Sequence, residues 1–480
     1  MNCEYEVVIG LEIHLELQTR SKLFCGCSTA FGKEPNSNCC PVCLGLPGSL
    51  PVFNRRAIEL AVTAALALNS AVQEVSRFDR KNYFYPDLPK AYQVSQYDHP
   101  LACGGFLEIE LDGESRKIGL ERVHLEEEAG KLVHEGDSIL SAEYSLVDYN
   151  RAGIPLLEIV TAPAISSGSE ARIFLEQLRL LMLYSGVSDC KMEEGSLRCD
   201  ANISLRPHGS TTLGTKAEVK NMNSFKAVEA ALNFEARRQR EILQSGKKVI
   251  QETCHWNEEK KETVPIRSKE GSSDYRYFPE PDLLPLILKP DFIAGLGQTL
   301  PERPLERKHR LQQQYGLDEQ SAVIMVENKP LGNFFEEAAK SYSDFANLAR
   351  WVQGDLQYRL REQNRSFESF KSSLLIELLE LLDRGEISRP IAKELLEKII
   401  SSGRQPTDLV IEKGLERIAD RQQLLPLVEE VIEKNSDAAE GVRQGNRKPL
   451  AFLIGQTMAR TGGRADPAVV TQLLNELLNQ

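Results

Sequence analysis

The sequence predicts an α+β fold, with a large N-terminal mixed α/β region built on antiparallel sheet, then an all-α middle domain and a small all-α tail. Three observations carry this. The first half contains short runs that alternate polar with aliphatic residues. Three longer stretches inside it space their apolar residues at three and four, and from Asp291 onward that spacing takes over. Period 2 marks a half-buried strand, and period 3.6 an amphipathic helix.

In chain order, Glu12-Ile-His14-Leu-Glu16 sets acid and imidazole against aliphatic neighbours, and Arg122-Val-His124-Leu-Glu126 repeats the pattern. Arg198-Cys-Asp200-Ala-Asn202-Ile-Ser204-Leu-Arg206 places a charged and amide face on every even position, as does Lys216-Ala-Glu218-Val-Lys220. Helices are expected at about 54–70, 168–186 and 224–244, the last with Ser224 as N-cap, since a serine oxygen there accepts a first-turn N–H. Runs such as Ser373-Leu-Leu-Ile-Glu-Leu-Leu read as helix with one apolar stripe, and Ser401-Ser-Gly-Arg-Gln-Pro406 reads as a break. The expected division is 1–292, 293–405 and 406–480, because 480 residues exceed what one core organises.

Seventy acidic against 58 basic residues give a net charge of −12, which excludes nucleic-acid binding over the whole surface but leaves room for a local basic site. No segment approaches the roughly 18 apolar residues of a membrane span. The start, Met-Asn-Cys-Glu-Tyr-Glu, lacks a basic stretch followed by an apolar one, so a cytoplasmic protein is expected. In that reducing compartment ten cysteines are thiols or metal ligands. Cys25-Gly-Cys27 and Cys40-Pro-Val-Cys43 form two close pairs joined by a polar loop, a spacing that suits a closed, structural zinc site. Four reduced thiols are the other reading, with Cys39 as a competitor for Cys40. Cys3, Cys103, Cys190, Cys199 and Cys254 are expected to be packing residues.

Strands wetted only by solvent are decorated with Thr, Lys, Ser and Gln. These faces carry His, Asp, Asn, Glu and Arg, a mixture suited to holding a cation and phosphate. His124-Leu-Glu-Glu-Glu, taken with Glu12, His14, Glu193 and Glu218, is expected to form a Mg²⁺ cage, an exposed acidic loop being the alternative. Arg80 to Gln93 interleaves bases with aromatics, a composition for stacking a nucleobase beside its phosphate or for filling a core gap. No Gly-x-x-x-x-Gly-Lys-Ser/Thr loop, Gly-x-Gly-x-x-Gly or Gly-x-Ser-x-Gly occurs, so any ATP is held by strands and metal. In the tail, residues 441–464 hold five bases, Arg443, Arg447, Lys448, Arg460 and Arg464, and no acid. That reversal of sign marks an RNA contact, or else a helix with basic ends.

Taken in order, Ile9-Gly-Leu-Glu-Ile-His14, Ser21-Lys-Leu-Phe-Cys-Gly-Cys-Ser28, Cys40-Pro-Val-Cys43, Lys81 to Gln93, His124-Leu-Glu-Glu, Met192 to Ser204, Glu218-Val-Lys-Asn221 and Asp274 to Asp282 resemble the GatB/GatE family of tRNA-dependent amidotransferases. The resemblance spans the chain. It implies a cradle-shaped catalytic region at 1–292 and a tRNA-binding tail. It also implies a ligase of protein biosynthesis that uses ATP, Mg²⁺ and Zn²⁺. That enzyme phosphorylates the side-chain carboxylate of Glu on glutamine tRNA or Asp on asparagine tRNA, then amidates it with glutamine-derived ammonia. The implied partners are an amidase chain (GatA) and a small linking chain (GatC), in a heterotrimer, with misacylated tRNA. Carried over by position, Glu12, His14, Glu126 and Glu127 are the catalytic candidates, joined by Glu193 and Glu218 as magnesium ligands. Lys81, Tyr83, Arg198, Asp200, Asn202 and Asn221 are implied contacts for phosphate or the aminoacyl end. Glu128 stands where the family usually has Asp, Glu16 where Gln is common, and Ser273 where His is common; Thr253-Cys-His-Trp256 lacks the usual Arg. The competing expectation is a non-catalytic, zinc-stabilised tRNA-binding protein.

Overall fold

The aliphatic positions of the alternating runs assemble one hydrophobic layer, and that layer orders the N-terminal half. The structure is a computed structural model and describes residues 5–134, 144–268, 275–446 and 448–478, which fall into two compact units, 1–305 and 306–480. Five strands make the centre of the sheet: β1 (Tyr5–Glu16), β2 (Glu114–Glu127), β3 (Pro155–Thr161), β4 (Leu197–Pro207) and β5 (Ala217–Lys220). Their order across the sheet is β5-β4-β1-β3-β2, every neighbouring pair antiparallel. All four runs read from the sequence lie in it. Among the described residues the sheet reaches ten strands, and Glu252–Asn257 pairs parallel to β5, the one departure from the antiparallel expectation among the pairs of this sheet. The cause is the intervening helix, Phe225–Gln244, which makes that connection a crossover instead of a hairpin.

Ile9, Leu11, Ile13 and Leu15 of β1 have no exposed surface, nor do Val123, Leu125, Leu157, Ile159, Ala201, Ile203 and Val219 on its neighbours. Against this face pack three helices, α1 (Arg55–Ala67), α2 (Gly168–Tyr184) and α3 (Phe225–Gln244), through residues such as Leu60, Phe174, Leu178, Val228 and Leu232. Ser224 caps α3, its hydroxyl accepting the Ala227 N–H at 3.0 Å, as expected. Helix α1 stops short of residue 70 because Asn69 adopts φ +56°, which ends a helix. With one face covered by helices, the even-numbered side chains are left on the open face. A small sheet of Asp79–Asn82, Tyr92–Ser95 and Phe278–Pro279 carries the aromatic segment.

In the second unit, Ser372–Asp383 and Arg389–Ser402 are amphipathic helices whose Leu375, Leu379, Leu395 and Ile399 are fully buried. Helix Pro406–Lys413 follows the expected break and is tied to the preceding helices, the Thr407 hydroxyl donating to Glu377 at 2.6 Å. Beyond it Leu424, Val428, Leu453, Val470 and Leu474 form a cluster of their own.

Candidate active site on the open face of the sheet

Antiparallel register places side chains of one parity opposite each other across strands, about 5 Å apart. On one rung Arg198, His14, Glu158 and His124 sit side by side across β4, β1, β3 and β2, with Glu126 one rung along. His14 Nε2 lies 3.5 Å from a Glu126 oxygen and 3.5 Å from a Glu158 oxygen, and His124 Nε2 lies 3.2 Å from Glu158. One ligand atom from each of His14, Glu126 and Glu158 falls within 4.8 Å of the others, the compass of a metal ion. Burial pulls the His14 imidazolium down, but the Glu158 hydrogen bond and the Glu158 and Glu126 charges outweigh it and lift the group to about 9. Burial and the neighbouring Glu158 charge push Glu126 up. Glu158, although buried, is held well below the carboxylate range by His124 and His14. The raised His14 imidazolium places positive charge between these two carboxylates.

Of the six residues expected to form one magnesium cage, the structure brings together His14 and Glu126 and adds Glu158. Glu12 accepts from Asn202 Nδ2 at 2.9 Å. Glu218, buried in β5, accepts from the Thr253 hydroxyl at 2.8 Å and lies 3.2 Å from Lys220. Glu193 is exposed in the turn before β4. Glu127, adjacent to Glu126 on a strand, points to the opposite side, where it pairs with Lys90 and accepts the Val94 N–H at 2.9 Å. Sequence patterning misses Glu158 because it is the single acid in Pro-Leu-Leu-Glu-Ile-Val-Thr, an apolar run whose signal is that of a buried strand. Its pairing opposite both His14 and His124 is visible only in the register.

Of the phosphate and aminoacyl candidates, Arg198 lies opposite His14, while Asp200 and Asn202 lie further along β4. Arg198 is paired with Glu128, and Lys220 with Asp200. Glu16, beside the first of these pairs, is raised to about 7 by burial and then by the Glu128 charge. Lys81 lies 5.8 Å from the Tyr83 ring and 5.1 Å from the Tyr275 ring, and Tyr97 stacks on Tyr277 at 4.2 Å. The phenols of Tyr83 and Tyr277 are pushed up by burial, and the nearby Glu126 charge adds to both shifts. These tyrosines therefore wall the carboxylate group. Asn221 is exposed just past β5 with φ +64°, a conformation asparagine tolerates. Asp274 and Ser273 lie outside the described residues.

The sulfurs of Cys25, Cys27, Cys40 and Cys43 approach within 4.8 Å of one another, so this cluster could bind a metal. The Cys25 hydrogen bond, the Cys40 backbone amide and Lys22 pull the Cys43 thiol down to about 4 against its burial. Cys39 faces Asn150 instead, 4.0 Å from its side-chain oxygen. Cys190, Cys199 and Cys254 are buried as expected; Cys103 is exposed on its short strand, correcting the expectation that it packs, and Cys3 lies outside the described residues. In the tail, Arg460 pairs with Glu430 at 2.7 Å and Arg443 with Glu440 at 3.6 Å. Arg464 donates to the Gly414 carbonyl at 2.8 Å, Lys448 is exposed, and Arg447 lies outside the described residues.

Residues 7–294 match a family described as the GatB/GatE catalytic domain, and residues 333–478 one described as the GatB domain. A protein from Carboxydothermus hydrogenoformans is 52% identical over 477 residues, covering 99% of each chain, and one from Caldanaerobacter subterraneus subsp. tengcongensis is 50% identical over 479 residues, 99% of this chain and all of its own. A third, from Brevibacillus brevis, is 46% identical over 478 residues, 99% of each chain. All three are named as the B component of an aspartyl/glutamyl-tRNA(Asn/Gln) amidotransferase. The chain belongs to the GatB family. Among the described residues no helix is long and apolar enough to cross a membrane.

Proposed function

We propose that this chain is the activating and amidating component of a cytoplasmic, tRNA-dependent amidotransferase, working with a separate amidase chain (GatA) and a small linking chain (GatC). Its substrate is Glu on glutamine tRNA, Asp on asparagine tRNA, or both. A side-chain carboxylate oxygen attacks the γ-phosphorus of ATP and ADP departs; ammonia made from glutamine by the amidase then attacks the acyl carbon and phosphate departs. The observation that carries this reading is the His14, Glu126 and Glu158 group on an open sheet face beside Lys81 and its tyrosines. The two carboxylates offer the oxygen ligands that magnesium prefers, with the His14 imidazole beside them. An ion held there would supply positive charge against the phosphates during transfer. His14, Glu126 and Glu158 would hold it, with His124 fixing Glu158 in place.

The cleft lined by Val8, Gly10, Glu12, Thr161, Asn202 and Lys216 adjoins this group and suits the nucleoside of ATP. Arg198 and Lys81 orient the phosphates and the aminoacyl carboxylate. Phe84, 88% exposed, and Tyr85 offer rings for the unstacked acceptor end of the tRNA. The four cysteines hold structural zinc. Hydrolysis of ATP by the assembled complex should rise on adding misacylated tRNA and not on adding uncharged tRNA; equal rates with both would remove the reading in favour of a tRNA-binding role without catalysis.

The division into 1–292, 293–405 and 406–480 is retained as part of this proposal, with the tail gripping the folded body of the tRNA. Because Pro406–Lys413 is tied to Glu377, truncation should follow Gly414 to spare the helices before it. Removing residues 415–480 should raise the Michaelis constant for misacylated tRNA about tenfold or more and flatten its dependence on salt. Amidation of an aminoacylated minihelix should be unchanged. Unaltered tRNA affinity at matched salt would assign the tail to another role.

A further inference from the structure

Lys22 has no exposed surface, and the two residues after it, Leu23 and Phe24, are buried as well. A lysine in such company needs an anion, since a buried, unpaired ammonium is strongly unfavourable. Its polar contacts are the Tyr149 carbonyl oxygen at 3.2 Å and the Cys43 sulfur at 3.6 Å. Gly153 packs over the same spot: a β-carbon there would lie 3.6 Å from both the Cys43 β-carbon and the Lys22 δ-carbon. A divalent ion held by four thiolates carries a net charge of about −2, and that charge is enclosed by protein on the Lys22 side.

We propose that Lys22 is the internal counter-cation of the cysteine-held metal, donating an N–H to the Cys43 sulfur and offsetting part of the tetrathiolate charge. The inference rests on the reading that the four cysteines hold zinc. Lys22 acts through the ligands and is a positioning residue, so its signature is a difference between the loaded and the empty protein. With zinc bound, Lys22 faces a cluster of four thiolates; without metal, the Cys43 sulfur is the cluster atom within its reach, so the pairing contributes less.

The test compares the full-length protein with Lys22→Met and Lys22→Arg. Zinc affinity is measured by competition with a chromophoric chelator, and thermal unfolding is followed with and without metal. Lys22→Met should raise the zinc Kd about a hundredfold, the scale expected for removing one partner of a buried ion pair. The metal-free Lys22→Met protein should lose less stability against its parent than the zinc-loaded form loses against its own, and Lys22→Arg should stay within a few-fold of the parent Kd. Parental zinc affinity in Lys22→Met, or equal destabilisation of both its forms, would overturn the proposal and make Lys22 a packing residue. So would failure of both Lys22→Met and Lys22→Gln to fold in the absence of metal. If the parent protein binds no zinc, it is the zinc reading that falls.

Discussion

Glu126→Gln should abolish ATP-dependent activation of misacylated tRNA, lowering kcat/KM on the order of 10³-fold or more, while the amidase chain keeps its basal glutaminase rate. The substitution preserves shape and removes one of two carboxylates that meet His14 within ion-binding distance. Glu158→Gln should behave the same way. Both variants should weaken Mg²⁺ or Mn²⁺ binding as followed by the concentration needed for half-maximal activity. Glu127→Gln should leave that metal requirement unchanged, because its carboxylate faces Lys90 on the other side of the strand. A Glu126→Gln protein with full phosphoryl transfer would show that the acidic group is structural.

If the four cysteines hold zinc as proposed, replacing Cys40 and Cys43 by Ser, or treatment with a chelator, should destabilise the loop locally, loosening residues 25–43 before the sheet melts. The loop's other ties run mostly to residues 147–150: the Asn36 side chain reaches the Val147 carbonyl at 3.0 Å, the Asn36 N–H reaches Asp148 at 2.9 Å, and Asn38 N–H reaches Asn150 at 2.7 Å. Limited proteolysis should cut within the loop at least about tenfold faster, whereas far-ultraviolet circular dichroism of the sheet and helices stays near that of the parent. Elemental analysis showing no zinc in the purified parent protein would remove this expectation.

The sheet is legible in the sequence because parity is a local property. Ile9, Leu11, Ile13 and Leu15 declare a buried face within one strand, and no long-range information is needed to see it. The same rule separates Glu126 from Glu127, since consecutive strand residues point oppositely. The acid-rich composition of His124 to Glu128 nonetheless suggests one shared cage. Composition ranks what a segment contains, and only register decides which members meet. Glu158 shows the converse, a candidate ligand hidden in an apolar run until two neighbouring strands are laid beside it. The cysteine cluster is legible because both pairs carry their spacing in sequence, but the buried lysine that faces it is not. In the tail the basic count is legible and the engagement of Arg443, Arg460 and Arg464 with nearby acceptors is not.

Core and candidate site are opposite faces of the same strands, so they share one frame. From Ile9 to Glu16 a side chain of β1 is either packing or chemistry according to whether its number is odd or even. Losing a single codon within Tyr5–Glu16 would therefore exchange the two sets, turning aliphatic residues toward the substrate and His14 toward the helices. Lengthening and shortening are tolerable only in the connections, and the strands must be inherited at fixed length. For this chain the reading frame of the sheet is as binding a constraint as the identity of any one ligand.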